Sequence, residues 1–342
     1  MHRLLPLIAA LTLGVLAASP PALADDDPIV ECQQLLKVCG SKKDYDGDKC
    51  KDLAKELPDC DADTDPGSVC KLPLSAITPT QTAVGVRAAQ CKSEDLKRRE
   101  QEDKFKDGLT RFLLKPNHLV PTVIGPDADQ AQGHRFYITD HHHLSYALFL
   151  AAIAQGKPLD ESLVYACIIA DKHKYAMDKF WDYMVRHHYA WLDDNRGRAI
   201  EVGELQAVKQ LADLKDYPFR TWSRWVRDSC GYLKYGNDCL GKKPSEDDLE
   251  EADVQNPPPY FVEFRWADYL AQNLPDLEPL EGMDDATIQA KLTEALALAQ
   301  GGQAFLEELP GYNDPRHAIF PMHPVTIANG CEAEPAEDAE GR

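Results

Sequence analysis

The chain opens on an apolar run, residues 4–18, interrupted by Pro6, Thr12 and Gly14. His2 and Arg3 precede it, and Ala22-Leu23-Ala24 then gives way to Asp25-Asp26-Asp27. Crossing a bilayer takes about 20 apolar residues, so this run is short for a span. A polar start, an apolar core and a small-x-small triplet instead predict a secretory signal peptide over residues 1–24. The mature chain is then expected to be secreted or periplasmic, with no membrane span after signal removal.

Beyond it, residues 25–70 are Cys- and Asp-rich with little apolar material, and globular texture begins at residue 71. The pattern predicts a short strand and loop over 74–85, then a charged amphipathic helix over 93–114 with Ser93 as its N-cap. Alternation over 120–125 and 135–139 predicts two strands joined by a polar turn. Asp140 is then expected to cap a helix that runs to Gln155 and stops at Gly156. Leu144, Ala147, Leu148, Ala151 and Ile153 make that helix apolar nearly all round, which predicts burial. Residues 163–170 read as a strand and 178–192 as an aromatic helix. A helix pair is expected within 204–234, and after Pro257-Pro258-Pro259 come helices over 261–273 and 283–308. The fold class is α+β, a small mixed sheet flanked by helices with a Cys-rich N-terminal segment. The expected divisions are 25–70, a main domain over 71–272, a helical extension over 273–330 and an acidic tail over 331–342.

The formal charge is −20, and the signal segment holds one Arg and no acid, so the mature chain stands at −21. Duplex binders carry basic stripes that neutralise phosphates, so this balance argues against non-specific DNA binding. All ten cysteines lie beyond residue 24, and five fall between residues 32 and 70. An even count in an exported chain predicts disulfides, as does a segment too poor in apolar residues to fold unaided. No Cys-x-x-Cys pair favours zinc. Cys230 and Cys239 bracket a loop that a local disulfide would close, whereas Cys167, inside an apolar run, reads as a plain buried thiol. Asp44-Tyr45-Asp46-Gly47-Asp48 resembles a calcium loop, but its Gly is fourth and Lys55 is twelfth, so it reads as a solvated turn.

The chemistry is concentrated in Asp140-His141-His142-His143, where a strand is expected to end and a buried helix to begin. A helix start offers free N–H groups and partial positive charge, a setting that suits anions and keeps imidazoles neutral. Successive helical residues splay by about 100°, so three rings do not converge on one ligand. His142 and His143 are the expected pair, with His141 turned elsewhere. His187-His188 sits among Trp181, Tyr183, Tyr189 and Trp191 and reads as core packing with a polar edge.

Phe136-Tyr137-Ile138-Thr139-Asp140-His141-His142-His143 resembles the y-l-x-D-H/G-H-H signature of the ParB-like nuclease family of the ParB/sulfiredoxin superfamily. Thr78-Pro79-Thr80-Gln81 with Val84-Gly85 resembles its P-T-Q-x-x-V-G element. Asp216-Tyr217-Pro218-Phe219-Arg220 resembles D-P-Y-R, and Glu263-Phe264-Arg265-Trp266-Ala267 resembles E-F-x-W-A. Four elements in order span about 190 residues. The resemblance implies a ParB/sulfiredoxin-like fold whose strand-to-helix turn cradles phosphates. Leu144 stands where many relatives carry Arg, and Tyr217 takes the place of an Asp. The function implied is a phosphodiesterase or nuclease, a hydrolase in which Asp140, His142, His143 and Arg220 are catalytic. Any cofactor would be a divalent metal ion on His142 and His143, with Gln81 and His141 as further ligand contacts. The alternative is a non-catalytic exported module that binds phosphate, nucleotide or an envelope ligand, and a toxin-like effector is a third option. The Asp-His-His string also resembles phosphoesterases of the DHH type. Their two-metal sites need further Asp motifs, for which only Asp171 and Asp193-Asp194 are available.

Overall fold

Period-two runs and Pro- or Gly-marked turns place the strands. The computed structural model describes residues 27–40, 45–101, 108–127, 129, 133–234, 261–306, 309–312 and 324–332. The strands are β1 (Val69–Pro73), β2 (Ile77–Pro79), β3 (Ala83–Val84), β4 (Val120–Pro126), β5 (His134–Ile138), β6 (Leu163–Asp171), β7 (Lys215–Asp216), β8 (Ile327–Ala328) and β9 (Cys331–Glu332). Five of them form the main sheet, in the order β1-β6-β4-β5-β2. β1 is antiparallel to β6, β6 parallel to β4, β4 antiparallel to β5 and β5 parallel to β2, so the sheet is mixed as expected. β3 and β7 form a small parallel pair beside it.

The helices are α1 (Pro28–Leu35), α2 (Gly47–Glu56), α3 (Val86–Glu100), α4 (Leu109–Leu113), α5 (His142–Gln155), α6 (Met177–Arg186), α7 (Val202–Leu205), α8 (Pro218–Asp228), α9 (Val262–Asn273), α10 (Asp285–Ala299) and α11 (Gly302–Leu306). Alternation along β5 divides the core: Phe136 and Ile138 pack with Leu144, Ala147 and Leu148 of α5, while Tyr137 faces Phe180, Trp181 and Met184 of α6. A third apolar group joins α8, α9 and α10 through Trp222, Trp225, Trp266 and Leu292. Cys32 of α1 and Ala54 of α2 are buried in the same core as the sheet.

Several expected boundaries move. The charged helix begins at Val86, not Ser93, because its cap comes from a residue 130 positions away: Asp216 Oδ1 accepts the Val86 N–H at 2.9 Å. Ser93 is buried within it. α4 is a separate short helix. The aromatic helix ends at Arg186, where His188 turns the chain with φ 56°. The pair expected within 204–234 is one turn, α7, followed by α8 from Pro218, whose ring suits a first helical position. A break at Gly301 divides 283–308 into α10 and α11. Ile153, predicted inward, is exposed, although α5 is otherwise largely buried.

Disulfides join Cys32 to Cys167, Cys39 to Cys50, Cys60 to Cys70 and Cys91 to Cys331. Cys167 is therefore not a free thiol: α1 packs across β6 and brings Cys32 to it. Its apolar neighbours reflect burial of an interior strand, and burial does not distinguish a thiol from a half-cystine. Cys230 is also disulfide-bonded, while Cys239, its expected partner, lies outside the described residues. So do the expected signal peptide, the triple proline and most of the acidic tail. Disulfides accord with an oxidising compartment. Among the described residues no helix is long and apolar enough to cross a membrane.

Candidate functional site

The chain bends sharply between β5 and α5. Asp140 Oδ1 accepts the His141 N–H at 2.6 Å, and His141 takes a left-handed conformation with φ 59°. His141, rather than Asp140, occupies the N-cap position, and no side-chain hydrogen bond caps α5. The expected Asp140 cap is corrected for that reason: its carboxylate is spent on the neighbouring N–H and never reaches the helix.

His142 and His143 turn toward the segment between β2 and α3. The Thr80 N–H donates to His142 Nε2 at 3.1 Å, and the Gly85 N–H donates to His143 Nε2 at 3.0 Å. A neutral imidazole that accepts on one nitrogen carries its proton on the other. Burial, opposed by Asp140, lowers His142 to about 3, and burial with Arg220 and Arg224 nearby holds His143 well below its ordinary value. Both rings are thus neutral brackets with their lone pairs committed. They do not fit the expected roles of metal ligand or free base, and among the described residues no three His, Cys, Asp or Glu side chains gather to hold a metal ion.

The other motif residues complete the same brace. Gln81 is buried and its Nε2 donates to the Ala83 carbonyl at 2.7 Å, closing its own turn. Thr80 Oγ1 donates to the Ile138 carbonyl, and the Trp191 N–H donates to the Thr80 carbonyl. Gly85 lets α3 abut α8: a Cβ there would lie 2.7 Å from both the Thr221 nitrogen and its hydroxyl. Tyr217 donates to Asp268 Oδ1 at 2.6 Å.

Arg220 stands apart. Only 6% of it is exposed, and its Nε and Nη1 have no hydrogen-bond partner. Among the described residues no carboxylate lies within salt-bridge distance of it. The guanidinium instead lies 4.3 Å from the Phe264 ring centroid. Burial lowers its pKa and Glu263 opposes the shift, yet a guanidinium keeps its proton.

Around it lies a charged group that sequence reading left largely unseen. Glu263 accepts from Lys234 at 2.8 Å and from Arg227 at 3.0 Å. Arg227 and Arg224 also hold Asp228, at 2.8 and 3.2 Å. Lys92 is pushed down to about 8 by burial and by Arg224. Burial raises the Asp140 carboxyl, but His141 and Lys234 outweigh it and keep the group below its usual range. Burial lowers half-buried His141, against the pull of Asp140. His141, expected to turn elsewhere, is therefore the histidine that shares this group, because its left-handed backbone swings it out of the helical series. Asp140 itself is exposed to solvent. Lys234, Arg220, Arg224 and Arg227 surround Asp140, Glu263 and Asp228, with Glu332 pushed up to about 7 by burial and by Asp228. Glu263 belonged to a motif and gave a signal. Lys92 and Lys234 sit in ordinary charged stretches and gave none.

The weaker candidates serve local structure. Asp171 accepts from the His173 N–H, Asp194 pairs with Arg198, and His187 packs on Tyr183 at 4.1 Å. Asp46 caps α2 through the Lys49 N–H, while Asp44 lies outside the described residues.

Residues 70–238 match the family model described as "Putative ParB-like nuclease". The crystal structure of protein Atu1540 from Agrobacterium tumefaciens is similar, with 26% identity over 71% of this chain and 95% of that one, and a TM-score of 0.48. No curated protein matches the sequence. The family match takes in the strand-to-helix turn, the bracketing segment and α8, and stops short of Glu263. The domain of residues 70–238 belongs to the ParB-like nuclease family.

Proposed function

We propose that the domain is a phosphodiesterase of the nuclease type whose phosphate seat is Arg220 beside the uncapped start of α5. The two unpartnered donors of a buried guanidinium carry this reading. Buried guanidinium donors left without hydrogen bonds are costly, and a phosphate oxygen would satisfy both while drawing on the helix terminus. His141, neutral near pH 7, would take a proton from the attacking water, and Asp140 would steady the resulting imidazolium. Arg220 would meet the charge that develops on phosphorus oxygens.

The assay is hydrolysis of a model phosphodiester together with calorimetric binding of inorganic phosphate. Arg220→Gln should abolish phosphate binding and lower turnover roughly 100-fold or more. Full binding and turnover in that variant would remove the basis of the proposal. A second reading, binding without turnover, draws support from the commitment of His142 and His143 to backbone N–H groups. Phosphate binding lost in Arg220→Gln, with no hydrolysis by the wild type, is its signature. The disulfides and the leading apolar run support a site of action outside the cytoplasm.

A further inference from the structure

We infer that the Cys91–Cys331 disulfide is a reducible clasp: a dithiol that opens it frees the C-terminal hairpin, residues 325–332, and loosens the ion pairs around Arg220. This rests on the phosphate reading above and adds regulation to that site. β8 and β9 turn through Asn329 and Gly330, both at positive φ, 54° and 68°. That is the tight turn a two-residue hairpin loop needs. A lone two-stranded hairpin is marginal in water, and these strands have two residues each. Contacts with three helices hold it instead. Arg87 of α3 donates to the carbonyls of Gly330 at 2.8 Å and Asn329 at 3.2 Å. Asp285 of α10 accepts the N–H groups of the same two residues. The Val325 N–H donates to Ser229, at the end of α8, at 2.9 Å. Glu332, beside the disulfide, hydrogen-bonds to Asp228, which holds Arg224 and Arg227. Arg227 in turn holds Glu263, whose charge acts on Arg220.

Access singles out this bond. Cys91 and Cys331 are both partly exposed, whereas Cys32, Cys39, Cys50, Cys70 and Cys167 are 0% exposed. The other three pairs described each have at least one half sealed from solvent. The thiolate of a dithiol attacks one sulfur and forms a mixed disulfide, which its second thiol resolves. Two electrons and two protons pass to Cys91 and Cys331 as thiols, and the dithiol leaves as a disulfide.

The test treats the oxidised wild-type chain with graded dithiothreitol without denaturant. Alkylation and mass spectrometry locate the thiols, while hydrogen exchange follows the hairpin and α8. Cys91 and Cys331 should label ahead of the five buried half-cystines, and exchange should rise over residues 325–332. Inorganic phosphate should then bind roughly fivefold or more weakly by calorimetry, and reoxidation should restore it. Cys91→Ser combined with Cys331→Ser should reproduce the weaker binding without reductant. Earlier labelling of a buried pair overturns the inference, as do unchanged exchange in the hairpin and undiminished phosphate affinity once the bond is open. The titration uses unaltered protein, so it decides the matter even if the double variant folds poorly. An oxidised chain that binds no phosphate removes the phosphate reading instead, and the clasp then stands or falls on labelling and exchange.

Discussion

Replacing His142 by Gln separates a bracketing histidine from a catalytic one. Its Nε2 accepts the N–H of Thr80, a residue only 1% exposed, and burial holds its pKa at about 3 against an ordinary 6.5. The folded chain therefore keeps the ring neutral where the unfolded chain protonates it. With the folded value depressed, the contribution is fully present above pH 6.5 and is lost as pH falls toward 3. Each proton bound only by the unfolded state costs about 1.4 kcal/mol per pH unit, so the loss from this ring by pH 5 is about 2 kcal/mol. Gln presents an acceptor at nearly the same place and does not titrate in this range. Asp268, raised to about 6 by burial, and Glu332, raised to about 7, act in the opposite sense, since the folded state binds their protons first. The informative quantity is thus the difference between wild type and His142→Gln in denaturant unfolding at pH 7 and pH 5. The variant should lose about 2 kcal/mol less over that interval. Equal losses would show that His142 titrates normally and that the bracket is misassigned.

Gly85→Ala should cost about 1–3 kcal/mol, because its Cβ would press on the Thr221 backbone nitrogen at 2.7 Å; thermal unfolding reads this directly. Arg220→Gln should leave stability unchanged or raise it slightly, since two buried N–H donors without hydrogen-bond partners are removed, and chemical denaturation compared with the binding loss tests both halves. Exchanging Cys32 and Cys167 together for Ser should lower stability by roughly 4–5 kcal/mol, because that bond closes a sequence separation of 135 residues; unfolding in urea measures it.

β4 and β5 were legible from alternation and β6 from its Ile and Val, and the order of the motifs placed the bend before α5, because these are local patterns; β1, at the end of the Cys-rich segment, was not expected. The start of α3 was not: its cap, Asp216, is close only after β3 and β7 pair. The same cause hid the roles of the histidines. Residues 142 and 143 announced unusual chemistry, but the partners that neutralise them are backbone N–H groups some 60 residues earlier, and backbone groups leave no mark in composition. Arg220 was visible through its motif. Its missing partner was not, since only the packed interior reveals what a guanidinium fails to touch. Lys234 was an ordinary lysine until folding brought it beside Asp140 and Glu263, as was Lys92 until it was buried beside Arg224.

The bond between Cys91 and Cys331 fixes an order of events during biogenesis. Its partners are separated by 240 positions, so Cys91 waits unpaired until Cys331 has been made. At about 5–20 residues per second, a ribosome needs on the order of 10–50 seconds to make that stretch. Throughout this interval the thiol has nearer wrong partners in Cys60 and Cys70, which close a loop of only 10 positions with each other. Early closure of that small loop would remove both wrong partners. Production in a host able to reshuffle mispaired bonds should therefore yield more correctly oxidised protein than an oxidant alone.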